Sequence, residues 1–195
     1  MGKVGGKGWV FGYGSLMWQP GFACEPGRPA LLQGYHRRYC MYSIRNRGTE
    51  QEPGMMLGVL PGGQCTGLAF RFDLAQEAEV LAYLDEREGE GRANRRVVLP
   101  VKLLDAESSC LINTWTYLPR VAYEHYVGVL SEQAQAERIL AGKGLTGTAE
   151  AYYLELMAAL SRLKVSEPRL ERLAGLIDQL RGQPASGTDL AAKPV

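Results

Sequence analysis

The chain has 195 residues, of which 46% are hydrophobic, 22% charged and 9% aromatic. That composition supports a core of ordinary size without a disulfide or a structural metal. The 22 lysines and arginines nearly balance the 21 aspartates and glutamates, which leaves a net charge of +1. So small a charge argues against nucleic-acid and membrane partners, because both are held largely by electrostatic attraction.

Cysteines and histidines are few and widely spaced. Their positions are Cys24, Cys40, Cys65, Cys110, His36 and His125, with no C-x-x-C pair. A structural zinc site needs four such ligands at close spacing, so we expect no metal. No N-terminal apolar stretch has the length of a signal peptide or a membrane span, and unpatterned thiols are typical of a reducing compartment. We therefore expect a cytoplasmic protein.

Predicted strands dominate the first part of the chain. Runs of β-branched and aromatic residues place them at residues 9–13, 31–44, 55–60, 66–72, 96–104 and 110–117. Pro61-Gly62-Gly63 predicts a turn between the third and fourth of these strands. Residues 75–87 interrupt the strands with a helical pattern, whose apolar stripe would be Ala78, Leu81, Ala82 and Tyr83.

Predicted helices follow the strands. Ser131 is a candidate N-cap for a helix that stops at Gly142, and Thr148 and Ser166 are candidate N-caps for two more. Strands first and helices last favour the α+β class over a regularly alternating sheet. We expect one domain over residues 9–181, because residues 1–8 and 182–195 are poor in core-forming side chains and are expected to be disordered.

Two glycine clusters have the composition of anion-binding loops. Residues 142–147 fit the dinucleotide pattern G-x-G-x-x-G, but a helix precedes them where that fingerprint needs a strand, so a helix–helix connection is the better interpretation. The second cluster, Tyr13-Gly14-Ser15-Leu16, directly follows an apolar strand. Such a turn presents backbone N–H groups to a carboxylate or an oxyanion, although an ordinary strand-ending turn has the same spacing.

Four acidic residues, Asp85, Glu86, Glu88 and Glu90, close the helix predicted at residues 75–87. The helix dipole disfavours carboxylates at a C-terminus, so their presence is an anomaly that an inward-facing side chain would explain. A carboxylate in a partly apolar pocket has a raised pKa and can act as a general base. Composition does not say which of the four faces inward, and a solvated helix end is the alternative interpretation.

Five motifs occur in the order that the ChaC-like γ-glutamylcyclotransferase family shows them. They are residues 9–18 (WVFGYGSLMW), residues 34–39 (GYHRRY), Arg47-Gly48-Thr49 with Pro53-Gly54, residues 67–71 (GLAFR) and residues 83–88 (YLDERE). The chain thus resembles this family over most of its predicted domain, from about Trp9 to the region of Tyr152.

The resemblance implies a small mixed β-barrel with flanking helices, which cleaves glutathione to 5-oxoproline and cysteinylglycine without a cofactor. The family's catalytic base is the glutamate of an Arg-Glu pair that follows Tyr-Leu-Asp, and it matches Glu88. The family's turn for the γ-glutamyl group matches Tyr13, Gly14, Ser15 and Leu16. A ligand-facing tyrosine at the start of a later helix matches Tyr152, or Tyr153 if the register slips by one. An oligomeric state is not indicated.

Two departures from the family pattern concern the choice of substrate. Relatives commonly continue the Arg-Glu pair with Gly-Gly-Tyr, whereas residues 89–93 read GEGRA, and Asn46 stands where relatives usually carry histidine. Glutathione, another γ-glutamyl peptide and a γ-glutamylamine are therefore all open as substrates. Arg92, Arg95 and Arg96 either pair with a substrate carboxylate or are solvated surface side chains.

Two readings from other functional classes stand beside the cyclotransferase. The pocket of a small-ligand-binding module would hold a γ-glutamyl compound without turning it over. A covalent hydrolase would use Ser15 with His36 or His125, but no nucleophile-elbow pattern surrounds Ser15.

Overall fold

The computed structural model describes residues 6–105 and 110–182, and its centre is a closed barrel of five β-strands. The strands are β1 (Lys7–Gly12), β2 (Arg28–Ser43), β3 (Gly54–Asp73), β4 (Asn94–Leu103) and β5 (Cys110–Pro119). The helices are α1 (Glu77–Glu88), α2 (Glu132–Ala141), α3 (Ala149–Arg162) and α4 (Pro168–Gly182). A short hairpin of β6 (Lys143–Gly144) and β7 (Gly147–Thr148) joins α2 to α3. The predicted α+β class with a small barrel and flanking helices is confirmed.

The barrel strands follow the order β1-β3-β2-β4-β5, and β5 returns to β1 to close the barrel. The closing pair is parallel, with Val10 opposite Trp115, while the four other pairs are antiparallel. Closure removes the free sheet edges that would otherwise pair with other chains. The barrel interior and the helices α2, α3 and α4 share one apolar core, which includes Leu32, Leu156 and Leu173.

Residues 61–63 do not form the predicted turn. They lie inside β3, a single strand of 20 residues that pairs with β2 along almost its whole length. The register shifts here, where Gly34 on β2 faces Gly62 and Gly63 on β3, and all three have positive φ. Glycine adopts this conformation readily, so it accommodates a bulge that bends the hairpin without ending it. The prediction of a turn was wrong. These residues fit both a turn and a bulge, and only their pairing with β2 distinguishes the two.

The chain ends differ slightly from their prediction. Strand β1 begins at Lys7, two residues before the predicted boundary, because Lys7 and Gly8 pair with Asp73 and Phe72 on β3. These two residues therefore belong to β1, although the predicted domain begins at Trp9. Helix α4 extends through Gly182. Of the predicted disordered ends, residues 1–5 and 183–195 lie outside the described residues.

Helix α1 buries a different face from the predicted stripe. Its buried residues are Val80 and Leu84, whereas Ala78 and Ala82 are exposed. Positions four apart lie on the same face of an α-helix, so the buried stripe continues from Leu84 to Glu88, the last residue of the helix. The barrel surface under α1 selects this face, and the short apolar pattern on the helix is too weak to predict it.

The glycines of residues 142–147 allow backbones to approach each other closely. Gly142 and Gly144 lie against the backbone of residues 45–47 and 54, where any Cβ atom would overlap main-chain atoms. Leu145 and Thr146 donate backbone hydrogen bonds to the carbonyls of Arg45 and Asn46, at 2.8 and 3.0 Å. The prediction of a helix–helix connection is confirmed. The two backbone hydrogen bonds attach this connection to the loop between β2 and β3.

Candidate active site

A cavity of about 440 Å³ lies among β1, β3, β5, the C-terminal end of α1 and the start of α3. All six sequence-predicted site residues line it: Tyr13, Gly14, Ser15, Leu16, Glu88 and Tyr152. The fold thus brings together residues that the sequence places on three separate segments.

The turn after β1 is held rigidly at the cavity. A short 3-10 helix, Ser15–Met17, follows Gly14, whose carbonyl accepts a hydrogen bond from the Met17 N–H at 2.9 Å. The Tyr13 hydroxyl donates to the carbonyl of Tyr117 at 2.8 Å. A Cβ atom at Gly14 would lie 2.8 Å from the Tyr152 hydroxyl, so glycine is needed there for close approach.

Tyr152, and not Tyr153, lies on the cavity. Its ring meets the ring of Trp18 edge-on, with centroids 5.4 Å apart, and the Arg47 guanidinium lies 5.4 Å from its centroid. The Tyr153 hydroxyl instead donates to the Leu170 carbonyl at 2.7 Å, and its ring packs in the core. Of the two tyrosines that the sequence left open, Tyr152 therefore lines the cavity and Tyr153 does not.

Of the four acidic residues at the end of α1, Glu88 alone lines the cavity. Asp85 is paired with the Arg96 guanidinium at 2.6 Å, and Glu86 and Glu90 are exposed. The Glu88 side chain is 21% exposed. Gly89, with φ of +67°, ends the helix directly after Glu88, so this carboxylate sits at the last position of the buried stripe.

Burial raises the pKa of the Glu88 carboxyl, and the nearby positive charge of Arg87 opposes that rise. The Arg87 Nε and Glu88 Oε1 atoms are 3.5 Å apart. The pKa values of Tyr13 and Tyr152 are also raised, first by burial and then by the negative charge of Glu88. Both tyrosines therefore keep their protons at neutral pH, and Glu88 is the group in this set suited to accept one.

Arg87 ties the end of α1 to the turn after β1. Its Nη2 donates to the Ser15 Oγ at 2.9 Å, and its Nη1 donates to the Gln19 carbonyl at 2.7 Å and to the Tyr83 hydroxyl at 2.9 Å. The Arg87 guanidinium thus links the carboxylate-bearing helix to the side chain of Ser15 in the turn and to the backbone of Gln19 beyond it. The YLDERE motif contained this residue, but sequence reasoning assigned it no role.

Sequence reasoning also missed Arg47. This residue lines the cavity, and its Nη1 donates to the Thr146 carbonyl at 2.8 Å. The Arg47 backbone is packed against glycines, since a Cβ atom at Gly54 or Gly142 would overlap the Arg47 carbonyl oxygen. The glycines around Arg47 were visible as a motif, but the cavity that its side chain faces was not.

Asn94 is a second residue that the sequence did not mark. It lies at the start of β4, is 3% exposed and lines the cavity. Its Nδ2 donates to the Glu88 carbonyl at 2.6 Å. This bond satisfies a carbonyl at the helix end and holds the backbone of Glu88 in place.

Several alternatives from the sequence do not reach the cavity. Its lining includes none of the candidate arginines at positions 92, 95 and 96, and neither histidine. His36 contacts the Gly62 carbonyl at 2.9 Å on the β2–β3 hairpin. Ser15 therefore has no imidazole partner among the lining residues, which removes the basis for a Ser-His nucleophile. Within residues 6–105 and 110–182, no group of His, Cys, Asp and Glu side chains is arranged to hold a metal ion.

Comparison with known proteins identifies related sequences. Residues 8–181 match the model of a family described as ChaC-like protein. The chain is 30% identical over 176 residues to the glutathione-specific gamma-glutamylcyclotransferase of Escherichia coli, covering 90% of this chain and 74% of the relative. It is 32% identical over 175 residues to human glutathione-specific gamma-glutamylcyclotransferase 1, covering 87% of this chain and 77% of the relative.

A solved structure has the same fold. The yeast gamma-glutamyl cyclotransferase specific to glutathione superposes with a TM-score of 0.82 at 20% identity, covering 92% of this chain and 99% of the yeast chain. In the described part of the chain, every helix is too short or too polar to cross a lipid bilayer.

Proposed function

The chain belongs to the ChaC-like protein family, and we propose that it is a glutathione-specific γ-glutamylcyclotransferase that releases 5-oxoproline and cysteinylglycine. One observation supports the proposal above the others. Glu88 and the Tyr13–Leu16 turn line one cavity, so a carboxyl that can act as a general base and a turn that can offer backbone N–H groups belong to one small-molecule site.

The reaction is an intramolecular aminolysis. The α-amino nitrogen of the γ-glutamyl group attacks its own γ-carbonyl carbon, and a new C–N bond closes the five-membered lactam. The old C–N bond to the cysteine then breaks. Glu88 takes the proton from the attacking amine and passes it to the leaving nitrogen, so atoms and charge balance without water or cofactor.

The rest of the site selects the reactive conformer of the substrate. Because attacking and attacked atoms belong to one molecule, the site needs to hold them at roughly 3 to 3.5 Å from each other. Backbone N–H groups of the turn hold the substrate carboxylate or the developing oxyanion. The protonated hydroxyl of Tyr152, which lies against Gly14, adds a further donor there.

The direct test is incubation of the purified protein with reduced glutathione and detection of both 5-oxoproline and cysteinylglycine. Equimolar release of the two products is expected. A parallel panel of other γ-glutamyl peptides and γ-glutamylamines measures the preference among substrates. Thermal stabilisation by glutathione without product release would show a binding module in place of an enzyme, because ligand binding stabilises the native state whether or not chemistry follows.

Turnover is expected to depend on the protonation state of Glu88. Since only the carboxylate accepts a proton, kcat/KM for glutathione should fall as the pH is lowered through the raised pKa that Glu88 has in the free enzyme. The measurement is a pH profile of kcat/KM beside a carbon NMR titration of the Glu88 carboxyl in the free enzyme. A carboxyl that titrates at or below the ordinary value of about 4.3 would contradict the expectation.

Arg47 is expected to bind a substrate carboxylate. A hydrogen bond to a charged group contributes about 1.5–3 kcal/mol, so Arg47→Met should lower kcat/KM by roughly 10- to 100-fold, mainly through KM. Arg45→Met is the matched control, because Arg45 lies in the same loop but is exposed and does not line the cavity. Equal effects of the two substitutions would show that only general charge near the loop matters.

A further inference from the structure

Arg37 is a fully buried arginine behind the active-site turn. It lies on β2, its side chain is 0% exposed, and it does not line the catalytic cavity. Its guanidinium contacts three separate parts of the chain. The Nε donates to the Tyr13 carbonyl at 2.6 Å, the Nη2 donates to the Thr66 carbonyl at 2.6 Å, and the Nη1 pairs with the Glu167 carboxylate. A buried charge is tolerated only when it is satisfied in this way.

The contact with Tyr13 sets the direction of a peptide group. In the described residues every peptide bond is trans, so the carbonyl of Tyr13 and the N–H of Gly14 point in opposite directions. Because the carbonyl points at Arg37, the Gly14 N–H points away from Arg37. The hydroxyl of Tyr13 is held at the same time by the Tyr117 carbonyl at 2.8 Å. Tyr13 is therefore held at both its backbone and its side chain.

Glu167, the acidic partner of Arg37, lies directly before the first residue of α4. The Glu167 carbonyl accepts hydrogen bonds from the N–H groups of Leu170 and Glu171, at 2.9 and 3.1 Å. Glu167 thus begins the helix with its backbone and neutralises Arg37 with its side chain. Its side chain is 20% exposed, so the ion pair is largely shielded from solvent.

We propose that Arg37 and Glu167 are positioning residues, which fix the Tyr13–Gly14 peptide so that the turn presents its N–H groups to the substrate. This proposal rests on the proposed function of the cavity. It predicts that α4, which contributes no residue to the cavity lining, controls the catalytic geometry through one ion pair. Small displacements of such groups reduce catalysis strongly, because the donors must meet the reacting atoms within tenths of an ångström.

The test compares two ion pairs at α4, the buried pair of Arg37 with Glu167 and the more exposed pair of Arg172 with Glu132. Arg37→Lys keeps the charge but lacks the planar fork that reaches three partners, and Glu167→Gln keeps the shape but loses the charge. The controls are Arg172→Lys and Glu132→Gln, because Arg172 on α4 pairs with Glu132 on α2 far from the turn. We expect at least a 10-fold loss of kcat/KM for the Arg37 and Glu167 variants, and changes within twofold for the controls.

Binding measurements separate positioning from partial unfolding. Calorimetry with glutathione in a Glu88→Gln background measures Kd and, through the stoichiometry, the folded fraction. Two results for the Arg37 and Glu167 variants would support the proposal, provided that the stoichiometry stays near one. Either Kd rises in the Glu88→Gln background, or kcat falls when Glu88 is present. The proposal is overturned if Arg37→Lys and Glu167→Gln behave like wild type, or if the controls lose as much activity. If Arg37→Lys fails to fold, the measurements on Glu167→Gln test the proposal alone.

A substrate-free measurement keeps the inference distinct from the proposed function. If wild type does not process glutathione, the proposed function fails. The amide NMR signals of Gly14 and Ser15 still test the connection, because they should shift in Glu167→Gln and stay in place in Glu132→Gln. Unshifted signals in Glu167→Gln would overturn the positioning role regardless of the substrate.

Discussion

Replacing Glu88 by glutamine is expected to lower the turnover of glutathione by about 10²- to 10⁴-fold, because the amide cannot take the proton of the attacking amine. Binding should change little, since the side chain keeps its size and the turn that holds the γ-glutamyl group is untouched. The measurement is kcat from 5-oxoproline release, with Kd from calorimetry. Glu86→Gln is the matched control, because Glu86 lies on the same helical turn but is exposed.

The same substitution should leave the protein at least as stable as wild type. Because the folded state raises the pKa of Glu88, the native protein binds this proton more tightly than the unfolded chain does. The resulting stabilisation of the native state is complete below the pKa that Glu88 has in the unfolded chain. It is lost as the pH rises through the pKa that Glu88 has in the folded protein. At neutral pH, Glu88→Gln removes a carboxylate that burial disfavours, so its Tm should equal or exceed that of wild type.

If the Glu88→Gln protein turns over glutathione as fast as wild type does, the general base is another residue.

Substituting Gly48 by alanine is expected to destabilise the protein by about 3 kcal/mol, a Tm loss of roughly 6–12 °C for a chain of this size. A Cβ atom at Gly48 would overlap main-chain atoms of Ser43, Glu52 and Gly54. Backbone atoms cannot move aside as the end of a flexible side chain can. Because Arg47 precedes Gly48 directly, activity at low temperature should fall together with stability.

A second glycine provides the control for that prediction. Gly175 lies inside α4, and an added Cβ atom there would meet no atom within 4 Å apart from the neighbouring backbone of its own helix. Alanine is favoured over glycine inside a helix by about 1 kcal/mol, so Gly175→Ala should raise Tm slightly and leave activity unchanged. Thermal unfolding and glutathione turnover of the two variants measure the contrast. A Gly48→Ala protein as stable as wild type would show that the loop relaxes around the new methyl group.

Local chemistry was readable from the sequence where neighbours along the chain decide the outcome. Ser131 and Thr148 were predicted as N-caps, and their hydroxyl oxygens accept backbone hydrogen bonds from Ala134 and Ala151, at 3.2 and 3.0 Å. These bonds span three residues, so the sequence contains both partners. The strand-rich first part and helix-rich second part were predicted for the same reason.

Outcomes that depend on a distant partner were not readable in this way. Pro61-Gly62-Gly63 was predicted to be a turn, but the pairing of this strand with β2 places a bulge there. The buried face of α1 was misassigned, because the barrel under the helix selects Val80 and Leu84. Family resemblance matched Glu88 to a catalytic role, while only the folded chain separates this carboxylate from the exposed Glu86 and the paired Asp85.

The sequence by itself determined the fold class, the N-caps Ser131 and Thr148 and the ordered motifs that identify the family, because each depends on composition, periodicity or residues close in the chain. Tertiary structure alone decided the environment of each group. It brings Arg47 to the cavity through glycine-lined backbone contacts, and it joins Arg37 to Tyr13 and Glu167 across 24 and 130 positions. Burial, charge pairing and donor direction are properties of such long-range contacts, so they arise only when the barrel closes.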